Sequence, residues 1–341
     1  MITETPTLSS ETAHPADASI GRPIIILGVS RSGTSLVGDL IHRWGAYGGD
    51  PESLKRGNSG NPNGYFEHRP MQRFLLTQLG LDFWTPGYPE RLCERAGDPE
   101  CRRTALELLA SMTVEGTVWF WKEPALSVTL PFWKELWGDA IYVIPIRDPY
   151  DAAVSWQKFS IPAEISTRVG VVCATLLEWQ YSMLSILEEL KGVPDKLFLP
   201  YEALVASPQE HCRRLCDFLD EHRGGAGLRA DRLERMVAAV DPRLHRNSGQ
   251  VDFASRPDVT PAQKALYQRL LQAIEEPDLP FDPDCYPMYE GWREYHANIV
   301  FFRQFAAQVT PLLKSKWVAL GLLLNHGWSR LAGALRRGTK K

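Results

Sequence analysis

The chain lacks the patterns that mark several common protein classes. Its six cysteines form no CxxC pair and have no histidines at zinc-finger spacing, which argues against a structural metal site. It has no uninterrupted apolar run of about 18 residues, the length that a membrane-spanning helix needs. Its formal net charge of -3 leaves no general electrostatic footprint for nucleic acid. Any anion-binding site must therefore be local, and a small anionic ligand fits better than a polymer.

The sequence pattern predicts an α/β fold with a mainly parallel central sheet flanked by helices. RPIIILG (residues 22–28) is a β-branched apolar run that ends in glycine, as in a strand buried on both faces. Further strands are predicted at residues 118–121, 140–146 and 196–199, and helical patterning separates them. Pro145 is unfavourable inside a central strand, because proline cannot donate a hydrogen bond to the ladder.

The predicted organisation has three parts. Residues 1–20 are polar and mildly acidic without the basic and apolar segments of a secretory signal, so we expect a disordered tail. Residues 21–225 form the α/β core, and residues 226–341 form a helical part that packs on the core or closes it. Near its end, residues 314–341 combine an apolar segment with lysines and arginines. This segment is either a packing helix with a solvated basic end or a helix at a membrane surface.

The first predicted strand leads into the loop GVSRSGTS (residues 28–35). This loop has the GxxxxG spacing of a P-loop, but Thr34 stands where nucleotide kinases place lysine. Apolar residues recur at three- and four-residue spacing over residues 33–44, so a helix follows. Backbone N–H groups of residues 31–35 can bind phosphate there, and Arg31 can supply the missing positive charge. The loop predicts phosphate binding without provision for Mg²⁺-ATP; the alternative is a plain glycine-rich turn into a helix.

A second pair of candidate ligand-binding residues follows the third strand. Arg147 ends the strand, and Ser155 comes eight residues later in the following helix. In open α/β sheets ligands collect at the carboxyl ends of the strands, so the glycine loop and Arg147 are expected to approach the same ligand. Two separated phosphate clamps indicate a bisphosphorylated nucleotide. The alternative for Arg147 is a structural salt bridge or turn.

Five motifs in order along the chain carry a family resemblance: GVSRSGTS after IIIL, NPNGYFEH, WKEP, IPIRDPYDAAVSW and LPYEALVASP. Together they resemble the bacterial branch of the sulfotransferase family that uses 3′-phosphoadenosine 5′-phosphosulfate (PAPS). Several spaced motifs in order are far more specific than any one of them. The resemblance implies a P-loop NTPase-like fold with a helical C-terminal extension and transfer of a sulfuryl group from PAPS.

The resemblance also implies roles for individual residues. The loop would hold the 5′-phosphosulfate with Arg31 nearest the charge, and Arg147 with Ser155 would hold the 3′-phosphate. Lys122 matches a lysine that steadies the sulfuryl oxygens, although its usual Lys-Asp-Pro-Arg context here ends in Ala125. His245 and Arg246 either close over the nucleotide, as a late basic segment does in relatives, or are solvated loop residues. Contacts to the nucleotide are expected from Ser30, Arg31, Ser32, Gly33, Thr34, Ser35, Arg147, Ser155, Tyr201, His245 and Arg246.

Sulfuryl transfer to a hydroxyl needs a base that takes the hydroxyl proton. Glu67 is the candidate, because glycan and tyrosyl-protein sulfotransferases place a catalytic glutamate at a similar point after the first helix. Packing against Tyr65 and Phe66 is expected to raise the pKa of Glu67 toward neutrality. His68 is the rival, since small-molecule sulfotransferases use histidine, and a structural salt bridge at a helix start is the third interpretation. Lys122 and Arg31 are expected to stabilise charge on the transferring group, and no metal is implied.

The sequence also admits two rival functions and leaves the acceptor undefined. Rival functions are a P-loop small-molecule kinase and a catalytically inactive PAP-binding module, where PAP is the desulfated product 3′-phosphoadenosine 5′-phosphate. The acceptor is expected to be a carbohydrate, a glycolipid or a natural product, and no nucleic acid partner is expected. The sequence is compatible with a homo-oligomer. We expect a cytoplasmic protein, with peripheral contact at the inner membrane through the basic C-terminal segment as an open alternative.

Overall fold

The central sheet has four parallel strands in the order β2-β1-β3-β4. The structure is a computed structural model that describes residues 22–58, 61, 64–80, 88–160, 168–222, 230–244, 251–288 and 290–292. In that part of the chain the strands are β1 (Ile24–Ile26), β2 (Phe120–Lys122), β3 (Ile141–Ile146) and β4 (Lys196–Pro200). All four strands lie within or beside the predicted segments, and the predicted parallel α/β fold is confirmed.

Burial on both faces explains why the strands are continuous apolar runs. Every residue of β1 and β3 is buried, and β1 pairs with β2 on one side and with β3 on the other. Successive side chains point to opposite faces of a strand. Ile25 therefore packs with Trp121 in the hydrophobic core on one face of the sheet, whereas Ile24 and Ile26 pack in the core on the other face. A parallel sheet covered on both faces requires this composition.

Pro145 is accommodated inside β3 by the lengths of the neighbouring strands. Amide groups of β3 alternate between its two neighbours: Ile141 donates toward the β1 side, to Pro23, and Tyr142 toward the β4 side, to Asp195. Pro145 falls on the β1 side, and pairing with β1 ends at Val143. An N–H group at position 145 would thus have no paired strand to which it could donate. A proline is therefore tolerated at this position of a central strand.

Helices cover both faces of the sheet. The first, α1, is amphipathic and buries Val37, Leu40, Ile41 and Trp44 against the face that carries Ile24. Among the described residues the helices are α1 (Thr34–Trp44), α2 (Arg69–Thr77), α3 (Tyr88–Gly97), α4 (Pro99–Ser111), α5 (Leu126–Trp137), α6 (Pro149–Ser160), α7 (Arg168–Glu189), α8 (Tyr201–Ala206), α9 (Pro208–His222), α10 (Ala230–Ala239) and α11 (Pro261–Glu275). Short 3₁₀ turns occur at Pro242–Leu244, Phe253–Ser255 and Pro283–Cys285.

The described residues beyond position 225 pack on the core. Helix α10 contacts α1 and α9, and α11 contacts β4. A capping box fixes the start of α11, because the Thr260 side chain accepts from the N–H of Gln263 while the Gln263 side chain accepts from the N–H of Thr260. None of the helices in the described ranges combines the length and apolar character needed to cross a membrane. The predicted tail and the basic segment at 314–341 lie outside the described residues.

Candidate active site

The glycine loop between β1 and α1 is shaped by backbone conformations that favour glycine. Gly28 and Gly33 have φ values of 140° and 97°, in the region where a Cβ is strained. At Gly33 a Cβ would also lie 2.3 Å from Cδ2 of Tyr201. Gly33 is the N-cap of α1 and has no side chain with which to cap the first N–H groups of the helix. Such a helix start is a site for an anion.

Arg147 at the end of β3 is joined directly to this loop. Its Nη1 donates a hydrogen bond to the main-chain oxygen of Arg31 at 2.7 Å, and Nε of Arg31 donates to Oγ of Ser155 at 3.0 Å. The guanidinium carbon of Arg147 lies 4.7 Å from the centroid of the Tyr201 ring. The structure thus brings the two predicted phosphate clamps together, as the position of Arg147 at a strand end predicted.

Two buried glutamates lie beside Lys122, at the end of β2. Nζ of Lys122 donates to Oε1 of Glu67 at 2.5 Å, and Nζ of Lys55 donates to Oε2 of Glu67 at 2.7 Å. The amide nitrogen of Gln72, on α2, donates to Oε2 of Glu67 at 3.0 Å and to Oε2 of Glu123 at 2.9 Å. Glu67 and Glu123 are 5% and 6% exposed. Two carboxyl groups, two ammonium groups and one amide therefore form a single network.

A cavity of about 330 Å³ joins the loop, the arginine clamp and the carboxyl network. The predicted site residues that line it are Ser30, Arg31, Gly33, Thr34, Ser35, Glu67, Lys122, Arg147, Ser155 and Tyr201. Ser32 is buried and has a different role, because its hydroxyl donates to the carbonyl oxygen of Val29 within the loop at 2.7 Å. Among the described residues there is no group of three or more His, Cys, Asp or Glu side chains placed to hold a metal ion.

Comparison with known protein families identifies the family of the chain. The model of the sulfotransferase family matches residues 23–223, which is more than half of the chain. The chain belongs to the sulfotransferase family. No curated protein matches this sulfotransferase.

The chain is also similar to solved structures of sulfotransferases. The sulfotransferase is similar to the crystal structure of sulfotransferase STF9 from Mycobacterium avium, at 18% identity and a TM-score of 0.51, over 76% of this chain and 79% of that one. It also matches the sulfotransferase domain of the Synechococcus PCC 7002 olefin synthase, at 18% identity and a TM-score of 0.41, over 77% of this chain and 96% of that one. A third match is sulfotransferase STF1 from Mycobacterium tuberculosis H37Rv, at 14% identity and a TM-score of 0.42, over 76% of this chain and 79% of that one.

The prediction that the pKa of Glu67 is raised toward neutrality is wrong for this sulfotransferase. Burial does act to raise the pKa of Glu67, but the positive charges of Lys122 and Lys55 together outweigh it and hold the pKa below its ordinary value. The expected apolar packing is also different. Phe66 packs on the rings of His42 and Phe120, with centroids 5.7 and 5.6 Å away. The glutamate is consequently an ionised group held between ammonium groups.

In the network around Lys122, the carboxyl group with a raised pKa is that of Glu123. Burial and then the negative charge of Glu67 raise the pKa of Glu123 to about 7, and Lys122 only partly offsets this. Sequence reasoning gave Glu123 no role. It missed Gln72 and Lys55 altogether, because neither lies in a recognisable motif. Their position in the cavity lining is what identifies them.

The remaining predicted residues fall elsewhere. His68 is 4% exposed and is not among the described residues that line the cavity. Burial lowers the pKa of His68 despite the opposing charge of Asp50, so the neutral ring is favoured. Its backbone pairs with Leu54 in an isolated bridge. His245 and Arg246 lie outside the described residues.

Proposed function

We propose that this sulfotransferase transfers a sulfuryl group from PAPS to a hydroxyl of a carbohydrate, glycolipid or natural-product acceptor. One observation carries the proposal: the start of α1 and the Arg147–Ser155 pair line one cavity, with Lys122 at the end of the neighbouring strand. Two anion sites joined by a hydrogen bond suit a nucleotide with phosphates on both its 3′ and 5′ sides. A lysine beside the 5′ site suits a further anionic group there.

The residues present fit the donor. Backbone N–H groups at the start of α1 would hold the 5′-phosphosulfate, because a helix start favours anions. The Arg31 guanidinium would join them in place of its hydrogen bond to Oγ of Ser155. Arg147 and Ser155 would hold the 3′-phosphate, with Tyr201 packed beside the guanidinium of Arg147. When bound, PAPS supplies an activated sulfuryl group. Residues of the chain bind PAPS and take the acceptor's proton.

Glu67 is proposed as the general base, although for a different reason from the one the sequence suggested. Its lowered pKa keeps the carboxylate ionised and able to accept a proton. Glu67 takes the acceptor's proton while the acceptor oxygen bonds to sulfur and the bond between sulfur and the PAP oxygen breaks. Lys122 and Arg31 stabilise the negative charge that spreads over the transferring group and its leaving oxygen. For Glu67 to act, Lys122 has to exchange Oε1 of Glu67 for the sulfuryl oxygens.

The helical part beyond residue 225 is proposed to complete this site. Ala239, at the end of α10, and Asp241 line the same cavity as the glycine loop. Helix α10 also packs on α1, whose first turn belongs to the proposed phosphate site. These contacts support a C-terminal part that packs on the core and narrows the nucleotide end of the cavity.

The proposal is tested by transfer of radiolabelled sulfur from PAPS to a panel of sugars, glycolipids and phenols. We expect label in at least one class of hydroxyl acceptor without added metal. The matched reaction with ATP labelled on its terminal phosphate is expected to give no phosphorylated product. Phosphate transfer would favour the kinase alternative, and PAP binding without any sulfur transfer would favour an inactive binding module.

A further inference from the structure

The two buried carboxyl groups of the site share one hydrogen-bond donor. The side-chain nitrogen of Gln72 donates to Oε2 of Glu67 and to Oε2 of Glu123, at 3.0 and 2.9 Å. A primary amide has two N–H bonds, so one can serve each carboxyl group. Gln72 comes from α2, Glu123 follows β2, and Glu67 ends the long loop before α2. The amide therefore fixes the relative position of two carboxyl groups that come from different elements.

The two carboxyl groups differ in how much of their acceptor capacity is used. Glu67 receives three N–H donors, from Lys122, Lys55 and Gln72, out of roughly four lone-pair sites on a carboxylate. Glu123 receives the amide of Gln72 and the backbone N–H of Ala125. In the part of the chain that the structure describes, no ammonium or guanidinium group forms an ion pair with Glu123. Glu123 is thus a buried carboxyl group at the same cavity without a countercharge of its own.

We propose that Glu123 is a positioning residue, held beside Glu67 by the side-chain amide of Gln72, and that an ionised Glu123 makes Glu67 a stronger base for the acceptor's proton. This inference rests on the proposed sulfuryl transfer, because only a hydroxyl acceptor requires a base. It adds the carboxyl group of Glu123 to a site for which the sequence motifs indicate only that of Glu67.

The charge state of Glu123 is expected to change the proton affinity of Glu67 in one direction. An ionised Glu123 places a like charge beside Glu67, which raises the proton affinity of Glu67 and makes it a stronger base. A protonated Glu123 has no such effect. Among the described residues, the ammonium groups that form ion pairs with the two carboxyl groups are those of Lys55, from the loop, and Lys122, from β2, and both bind Glu67. Arg31, Asp39, Arg147 and Asp241 line the same cavity. Because the pKa of Glu123 is raised to about 7, the pair is expected to change charge near neutral pH, with apparent pKa values that belong to both groups.

The experiment compares the wild type with Glu123→Gln, Glu123→Asp and Gln72→Met. The rate of PAP release from PAPS at saturating PAPS, with water or the best acceptor of the panel, is measured from pH 5 to pH 9. We expect kcat of the wild type to rise as pH increases through about 7, by about three- to tenfold. Glu123→Gln keeps an acceptor oxygen but cannot ionise, so its profile is expected to be flat in this range. Glu123→Asp restores an ionisable group and is expected to recover part of the rise.

The Gln72→Met variant tests the hydrogen-bonded bridge between the two carboxyl groups without removing the charge of either. Methionine has a similar length but no N–H, so both carboxyl groups keep their charge and lose the bridge. The hydrogen bond from Gln72 lowers the pKa of Glu123, so its loss is expected to move the rise in kcat to higher pH. A wild-type rise that Glu123→Gln reproduces, or a Gln72→Met profile that coincides with the wild type, contradicts the proposal. If Glu123→Gln does not fold, Gln72→Met and Glu123→Asp still decide.

Calorimetric binding of PAP distinguishes failure of this inference from failure of the proposed function. Binding of PAP by the wild type together with pH profiles that the variants do not alter would overturn the role of Glu123 alone. Absence of PAP binding by the wild type would overturn the proposed function itself. A purely structural role for Glu123 would lower the melting temperature of the variants and leave the shape of their pH profiles unchanged, and that outcome also overturns the inference.

Discussion

The guanidinium of Arg147 donates a hydrogen bond to the main-chain carbonyl oxygen of Arg31, with 2.7 Å between nitrogen and oxygen. The two residues are 116 positions apart in the chain. This bond fixes the end of β3 against the glycine loop that follows β1, so one arginine both shapes the loop and lines the cavity. The proposed nucleotide would therefore contact both elements.

Replacement of Arg147 by alanine is expected to weaken PAP binding strongly. The variant loses a charged donor in the cavity and leaves the Arg31 carbonyl oxygen without this hydrogen bond, so a loss of about 2–3 kcal/mol, or roughly 30- to 150-fold in affinity, is expected. Isothermal titration calorimetry with PAP measures it. Arg103→Ala, at an exposed site on α4, is the matched control and should bind PAP as the wild type does. Equal affinities for the two variants would contradict a role for Arg147 in the nucleotide site.

Replacement of Gly33 by alanine is expected to damage both stability and binding. The new Cβ would meet the Tyr201 ring at 2.3 Å, on a backbone with φ of 97°. Strain of this kind costs about 1–3 kcal/mol of unfolding free energy, and the loop that presents the first N–H groups of α1 has to shift. Urea unfolding and PAP calorimetry measure the two effects. Gly97→Ala is the control, because Gly97 has nothing within 4 Å of a built Cβ; similar losses in the two variants would show that the loop geometry is not the cause.

Stability is expected to fall with rising pH because of Glu123. Its folded-state pKa is raised from 4.5 to about 7, so the native state keeps a proton that the unfolded chain releases. The free energy of unfolding therefore declines as pH rises from about 4.5 to about 7, by up to about 3 kcal/mol. The pKa of Glu67 is lowered instead, so its contribution is lost only below the ordinary glutamate range.

Urea unfolding at several pH values between 5 and 8 tests this expectation. The unfolding free energy of Glu123→Gln should vary less with pH over this interval than that of the wild type. The two proteins should differ most above pH 7, where the wild-type carboxyl group has to be ionised while buried. Parallel curves for the two proteins would mean that Glu123 does not hold a proton in the native state.

Glu67→Gln is expected to separate binding from transfer. Glutamine keeps one acceptor oxygen for the neighbouring N–H donors but cannot take a proton, so sulfuryl transfer should fall by about 10²- to 10⁴-fold. Affinity for PAP should be retained, because Glu67 is not among the residues proposed to hold the phosphates. Glu107→Gln, at an exposed position on α4, is the control. Full turnover by Glu67→Gln on an identified acceptor would remove Glu67 from the role of base.

The end of the cavity that is lined by the glycine loop and Arg147 could be predicted from the sequence, because local patterns determine it. A buried apolar strand, two glycines at fixed spacing and an amphipathic helix specify the loop, and Arg147 follows an equally clear strand. The parallel sheet and the approach of Arg147 to the glycine loop were predicted in this way, and the family was predicted from five motifs in order. Pro145 was the exception, because its effect depends on where β1 ends, and the apolar pattern did not fix that end.

The contacts and pKa values of Glu67 and Glu123 could not be predicted from the sequence, because they depend on segments that are distant along the chain. The pKa of Glu67 depends on Lys122, which is 55 residues away and approaches to 2.5 Å. The bridge from Gln72 to Glu123 spans 51 residues and depends on how α2 packs beside the end of β2. Local apolar neighbours, Tyr65 and Phe66, therefore gave the wrong direction for the pKa of Glu67. Charges brought in by the fold outweigh neighbours along the chain.

Calorimetric titration of the wild type with PAP and, separately, with ATP and Mg²⁺ tests the central claim most directly. The proposed arrangement of a glycine loop without the kinase lysine, joined to the clamp of Arg147 and Ser155, predicts tight binding of PAP without any metal and no comparable binding of Mg²⁺-ATP. Tight binding of Mg²⁺-ATP with weak or absent binding of PAP would contradict it.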